Sequence, residues 1–397
     1  MEIKYSQLSN RTRGSEIREL LKYTRIKDII SFAGGLPDPS LFPIQDVTRI
    51  TKEVLEEKGF LALQYGPTIG EPDFIEAIKD HMNQFGEDVE LDQICVSSSS
   101  QQGLDLVSLV MLNEGDEIIL ELPSYLGALQ AFERTGCVMN GVPIQNDGMD
   151  IEYLVNTIES KVKDGKRIKF IYTIPDYQNP SGIILSKEKR LKLIDIAEKY
   201  QIPIIEDSPY RELCYDNNKV PSLWTIAKGE GIIQVKTLSK MLFPGMRMGL
   251  IVDQNDIINK FSLMKQSVDL CSPTSNQLII TRYMQEGLMK ATIDRAINLY
   301  KEKNACMINA LRKYMPEGVT WSEPRGGVFL WVKLPEYMDS KELIAKAAEN
   351  KIIYVTGNPF HCDGSGKNTL RLNYSFPSTS HIEIGISRLA DTIKEFI

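Results

Sequence analysis

Between about residues 90 and 250 the chain alternates repeatedly between a short apolar run and an amphipathic helical pattern. The apolar runs are "QICVSSSS", "DEIILELPSY", "IKFIYTIPDYQNPSG", "IPIIEDSPY" and "GIIQVKTLSK", with "MGLIV" after the last loop. Between them stand "QQGLDLVSLVMLN", "LGALQAFERTG" and "SKEKRLKLIDIAEKY", the last opened by a serine in N-cap position. Strands that are apolar almost throughout are buried on both faces, and strands separated by helices are joined by crossovers. The pattern therefore predicts an α/β fold, a mostly parallel sheet covered by helices. In such sheets the loops leaving the carboxyl ends of the strands line the ligand crevice.

Four of those loops carry groups able to do chemistry: "SSSSQQG", "PDYQNPSG", "EDSPY" and "KTLSKMLFPGMR". Each alone has an ordinary reading. A serine run can be an N-cap, "NPSG" is turn chemistry, the carboxylates of "IIED" can cap a helix, and a lysine after a strand is usually solvated. Their common place at one end of one sheet changes this. In "QVKTLSKMLFPGMRMGLIV" the buried flanks hold Thr237, Ser239, Lys240 and Arg247 together, a set that can grip an anion beside a reactive amine.

Beyond about residue 275 the pattern changes to long helices, then "GGVFLWVKL", a helix at "SKELIAKAAEN", and the strand candidates "IIYVTG" and "LRLNYSF". This reads as a smaller α+β domain at 281–397, with 46–280 as the large domain and 1–45 as an N-terminal segment joining the small one.

The 397 residues carry a net charge of −7, which argues against a nucleic-acid or anionic-membrane partner. The start of the chain does not read as a signal peptide, and no run approaches the roughly 20 apolar residues of a membrane span. The six cysteines form no CxxC pair and the three histidines are dispersed. A cytoplasmic protein with reduced thiols and no metal is expected.

At this point the residues resemble a known family, the fold-type I pyridoxal-phosphate enzymes of the class I/II aminotransferase group. The resemblance runs from "SFAGGLPDPSLFP" to "LRLNYSF", and is closest to the 2-aminoadipate and kynurenine aminotransferase branch through "SEIRELL", "LQYGPTIGEPDFIEAI" and "SSSSQQGLDLVSLVMLNEGDEIILELPSY". It implies a seven-stranded, mostly parallel sheet in the large domain, and pyridoxal phosphate as cofactor. Lys240 matches the lysine that holds the cofactor's aldehyde and then moves the substrate proton. Asp207 matches the carboxylate facing the pyridine nitrogen, and Asn179 and Tyr210 the donors to the phenolic oxygen. Tyr125 matches the aromatic stacked on the ring. Ser99, Ser100, Gln101, Thr237, Ser239 and Arg247 match the phosphate cradle, at a helix start whose N–H groups favour an anion. Tyr65 matches a tyrosine reaching the phosphate from the partner subunit, which implies a homodimer with shared sites. Arg371 matches the receptor of the substrate α-carboxylate, with Asn179 beside it, and Gly34 and Gly35 the segment closing over the substrate. Arg18 has two readings, a contact to a substrate side-chain carboxylate or an arginine facing water.

Two positions depart from the group: Ser99 stands where glycine is usual, and Thr237 replaces the commoner serine. The expected reaction is transamination between an L-amino acid (2-aminoadipate, aromatic or branched-chain) and a 2-oxo acid such as 2-oxoglutarate. The alternatives on the same scaffold are a C–S lyase or a decarboxylase. A MocR-like ligand-sensing domain is discounted, because the match begins within the first 20 residues and the chain is acidic.

Overall fold

The computed structural model describes residues 3–12, 14, 28–216 and 218–397. Each apolar run of the 90–250 region forms a strand of one sheet: β1 (Ile94–Ser97), β2 (Glu117–Leu122), β5 (Ile168–Thr173), β6 (Ile204–Ser208), β7 (Ile232–Thr237) and β8 (Gly249–Val252). Two more belong to it, β3 (Val138–Gln145) and the two-residue β4 (Gly148–Met149). The spatial order is β1-β8-β7-β6-β5-β2-β3-β4. From β7 across to β3 every pairing is parallel. β8 runs antiparallel between β7 and β1, and β4 folds back antiparallel on β3. The eighth strand, absent from the expected seven, is therefore a short hairpin return.

β3 escapes a search for apolar runs because it lies near the sheet edge. "VMNGVPIQ" is mostly half-buried or exposed, with only Val142 buried, so it lacks the two-sided burial that marks the central strands.

The helices that cover the sheet include α1 (Ile44–Ala62), α2 (Pro72–Gln84), α3 (Ser99–Met111), α4 (Leu126–Glu133), α5 (Ile151–Lys163), α6 (Lys187–Tyr200), α7 (Asn255–Val268) and α8 (Thr274–Gln285). Ser186 caps α6 as its sequence predicts, its side chain accepting from the Lys189 N–H. Two buried apolar cores result. Leu120, Tyr172, Ile205 and Val235 pack into one, and Ile119, Ile171, Ile204 and Ile232 into the other. Successive strand residues thus enter opposite cores, as the two-residue strand period requires.

After α9 (Leu288–Tyr314) a second sheet forms from β9 (Thr320–Trp321), β10 (Phe329–Lys333), β11 (Val355–Thr356) and β12 (Thr369–Asn373), in the order β9-β10-β12-β11. The last helix, α10 (Thr379–Lys394), packs on α9. The short strand Ile30–Ser31 pairs parallel with Ile352–Ile353, tying an early segment to this late one.

Where α3 crosses β7 and β8, the backbones touch. A Cβ at Gly249 would lie 2.5 Å from the Ser99 carbonyl carbon and 2.7 Å from the Lys236 carbonyl oxygen, both main-chain atoms that cannot swing away. Gly249→Ala is expected to destabilise the fold by about 2 kcal/mol, as overpacking does. Denaturant unfolding of the variant checks this; a loss within experimental error would mean the helix start can move.

Candidate active site

The carboxyl ends of β2, β5, β6 and β7 and the start of α3 enclose a cavity of about 370 Å³. Its walls bring together Gly35, Ser99, Ser100, Gln101, Tyr125, Asn179, Asp207, Tyr210, Thr237, Ser239, Lys240, Arg247 and Arg371. These residues are spread over more than 330 positions of sequence and come from three kinds of element: strand ends, a helix start and loops. Tyr65 is not in the wall; it is 77% exposed at the end of α1. Gly34 faces Leu36 instead of the cavity. Arg18 lies outside the described residues.

Asp207 ends its strand fully buried. One carboxylate oxygen accepts from the Tyr172 hydroxyl at 2.8 Å, and the other, Oδ1, has no hydrogen-bond partner among the described residues. Burial pushes its pKa up to about 7, partly opposed by the Tyr172 bond. Lys240 donates to the Gly35 carbonyl at 2.8 Å. Burial, and then the positive charges of Arg371 and Arg247, push this amine down to about 8. A Cβ on Gly35 would come 2.8 Å from the Phe329 ring and 3.8 Å from Lys240 Nζ, so the missing side chain leaves room beside the amine.

Arg371, on β12, is 2% exposed. Its guanidinium donates to Asn179 Oδ1 at 3.0 Å and to the Ala33 carbonyl at 2.7 Å, and lies 4.1 Å from the centre of the Phe329 ring. Its Nε has no partner, and no carboxylate pairs with it among the described residues. Burial pulls its pKa down to about 10. A buried arginine held by neutral groups is a receptor for an anion. The Asn179 amide also reaches the Tyr210 hydroxyl at 3.5 Å.

At the far end Ser99, Thr237 and Ser239 form a triangle of hydroxyls with edges of 3.0, 3.3 and 2.9 Å. Ser99 has φ +68°, a left-handed backbone costing on the order of 1 kcal/mol in a residue with a side chain. That conformation explains glycine as the usual occupant, while the serine adds a hydroxyl to the triangle. The first turn of α3 has no side-chain cap, so its N–H groups and dipole are available to an anion. Arg247, in the left-handed cap of the short Pro244–Met246 turn, stands across the mouth.

This donor set fits pyridoxal phosphate. The uncapped helix start, the hydroxyl triangle and Arg247 suit the phosphate, the free oxygen of Asp207 suits a protonated ring nitrogen, and the amine of Lys240 suits the aldehyde. Tyr172, Leu36 and Phe329 belong to the site but escape sequence reading. Tyr172 and Phe329 sit inside apolar runs, where nothing distinguishes them from core, and Leu36 is a lone apolar residue between Gly35 and Pro37.

The family model for aminotransferase class I and II matches residues 27–389. An aromatic-amino-acid aminotransferase of Thermococcus litoralis is 40% identical over 98% of this chain and 94% of its own. A 2-aminoadipate transaminase of Thermus thermophilus is 35% identical over 97% and 95%. The crystal structure of a kynurenine aminotransferase from Pyrococcus horikoshii, in complex with PMP, superposes with a TM-score of 0.95 at 38% identity, covering 99% of this chain and 97% of that one.

An amine reacts in its neutral form, so the lowered pKa of Lys240 moves its reactivity to lower pH. In the cofactor-free protein, labelling of Lys240 by an amine-directed reagent should rise with a midpoint near pH 8, against 10.5 for an ordinary lysine. Peptide mass spectrometry across pH reads this directly. A midpoint near the ordinary value would show that the amine is not desolvated.

Proposed function

We propose a substrate class for this chain, which belongs to the class I and II aminotransferase family and moves an amino group between an amino acid and a 2-oxo acid with pyridoxal phosphate as cofactor. Its main amino donors are aromatic amino acids, with 2-oxoglutarate as an acceptor. The observation that carries this is the apolar side of the cavity wall. The described cations that face the cavity are Lys240, Arg247 and Arg371, of which Arg371 suits the α-carboxylate and Arg247 the phosphate. The wall near Gly35 offers Leu36, the Tyr125 ring and Phe329. The 40%-identical relative named for aromatic amino acids supports the same reading.

When bound, pyridoxal phosphate supplies an aldehyde to carry the amino group and a ring that draws electrons from the substrate Cα. The chain supplies the rest. Arg371 fixes the α-carboxylate through its forked donors, and the Phe329 ring packed against it holds the orientation of the guanidinium. Lys240, neutral near pH 8, takes the proton from Cα and returns it on the other side of the exchange. Asp207 holds a proton on the ring nitrogen, and Tyr172 holds Asp207. Tyr210 and Asn179 would donate to the phenolic oxygen, and Tyr125 would pack on the ring. Ser99, Ser100, Gln101, Thr237, Ser239 and Arg247 hold the phosphate end still.

The active form is a homodimer with shared sites, and it works in the cytoplasm. Phe60, Leu63 and Tyr65 are 98, 80 and 77% exposed, an apolar strip at the end of α1 that a lone chain leaves in water. The exposure of Tyr65, outside its own cavity, supports the reading that it serves a second copy.

Three measurements test these readings. Mixed with L-phenylalanine and no oxo acid, the holoenzyme should lose the cofactor's visible band, and 2-oxoglutarate should restore it. Arg18→Ala separates the two readings of that residue: a slowing of 2-aminoadipate and 2-oxoglutarate by about 10- to 100-fold with phenylalanine nearly unchanged assigns it to the side-chain carboxylate, and no change leaves it facing water. Turnover of 2-aminoadipate without phenylalanine would overturn the aromatic assignment. For the assembly, Leu63→Glu should sediment as a monomer and retain cofactor poorly; a monomeric parent protein would end the shared-site reading.

A further inference from the structure

Behind the cavity, on the opposite face of the sheet, lies a buried ionic network that the chemistry above does not use. Its centre is Glu87, fully buried in the segment after α2. That segment is itself fastened, since Trp224 Nε1 donates to the Asp88 carbonyl at 2.9 Å and Thr225 Oγ1 to the Gly86 carbonyl at 2.8 Å. Glu87 accepts from Lys236 Nζ at 2.5 Å and from Gln234 Nε2 at 2.8 Å, and pairs with Arg211 Nε at 3.4 Å. Arg211 reaches on to Asp176 at 3.1 Å, which Arg190 also holds at 2.6 Å.

Each partner adjoins a residue of the cavity. Lys236 immediately precedes Thr237, and Arg211 immediately follows Tyr210. Asp176 stands three residues before Asn179. We propose that Glu87 is a positioning residue for the cofactor site, holding from behind the strand end that presents Thr237 and the loop that presents Tyr210. This rests on the roles assigned above to those two residues. The grip on β7 is double, through Gln234 and Lys236 on the same face, so it fixes the strand's rotation as well as its height. Such control matters because the hydroxyl triangle has edges near 3 Å, where a shift of a few tenths of an ångström loses a hydrogen bond.

The test compares apo-protein titrated with pyridoxal phosphate, followed by fluorescence, in the parent and in Glu87→Gln. The expected result is a dissociation constant raised about tenfold, the usual effect of a residue one contact behind a ligand. At saturating cofactor kcat should fall much less. If Glu87→Gln does not fold, the charge-balanced pair Glu87→Gln with Lys236→Met replaces it, with the same expectation. Ile382→Val, a core truncation on α10, is the control for lost stability alone and should leave cofactor affinity unchanged. A Glu87 variant that folds and keeps its dissociation constant within about twofold overturns the proposal. So does an equal affinity loss in Ile382→Val at a matched melting temperature. Lys240→Ala, run alongside, should lose the visible band; if it keeps it, the site assignment itself is wrong and the role of Glu87 falls with it.

Discussion

A strand sends successive side chains to opposite faces, and the site depends on that constraint more than on any single contact. Asp207 follows Glu206, and Thr237 follows Lys236, so each group facing the cavity has a neighbour facing the other core. The rear neighbours are polar and held by hydrogen bonds. Glu206 accepts from the main-chain N–H groups of Leu223 and Trp224 at 3.0 and 2.9 Å, and Lys236 is held by Glu87. A one-residue register slip would exchange the two sets, placing paired structural charges in the cavity and reactive groups in the core.

Two lysines four residues apart show how environment decides chemistry. Both are taken out of water, which disfavours the ammonium form. For Lys236 the carboxylates of Glu87 and Glu212 outweigh that penalty and its pKa rises, so it stays a fixed cation. Among the described residues Lys240 meets no carboxylate. Arg371 and Arg247 add to the penalty, and the amine becomes available as a nucleophile and base near neutral pH. The sequence difference behind this is only which face of the strand and loop each residue occupies.

The fold was legible where burial was two-sided. β1, β2, β5, β6, β7 and β8 all lie within runs picked out by their apolar character, whereas β3, half-exposed near the edge, left no such mark. The cavity residues from the strand-end loops could be proposed because polar groups stood out against apolar flanks. Tyr172 could not, since a tyrosine in "IKFIYT" looks like core until its hydroxyl is seen on Asp207. Glu87 was equally silent. It lies in a polar stretch that reads as an ordinary surface loop, and only the fold buries it between Lys236 and Arg211.

The cavity carries its polar groups in a form that suits something other than protein. Among the described residues Asp207 Oδ1 and Arg371 Nε are buried without partners, and α3 begins without a side-chain cap. A ligand that binds only the folded chain stabilises it by RT ln(1 + [L]/Kd), about 2.7 kcal/mol at a hundredfold excess over Kd. Chains made while the vitamin-derived cofactor is scarce lack that increment and open more often to proteases. An empty chain is therefore shorter-lived than a filled one, because the buried groups that await the cofactor leave it without that increment.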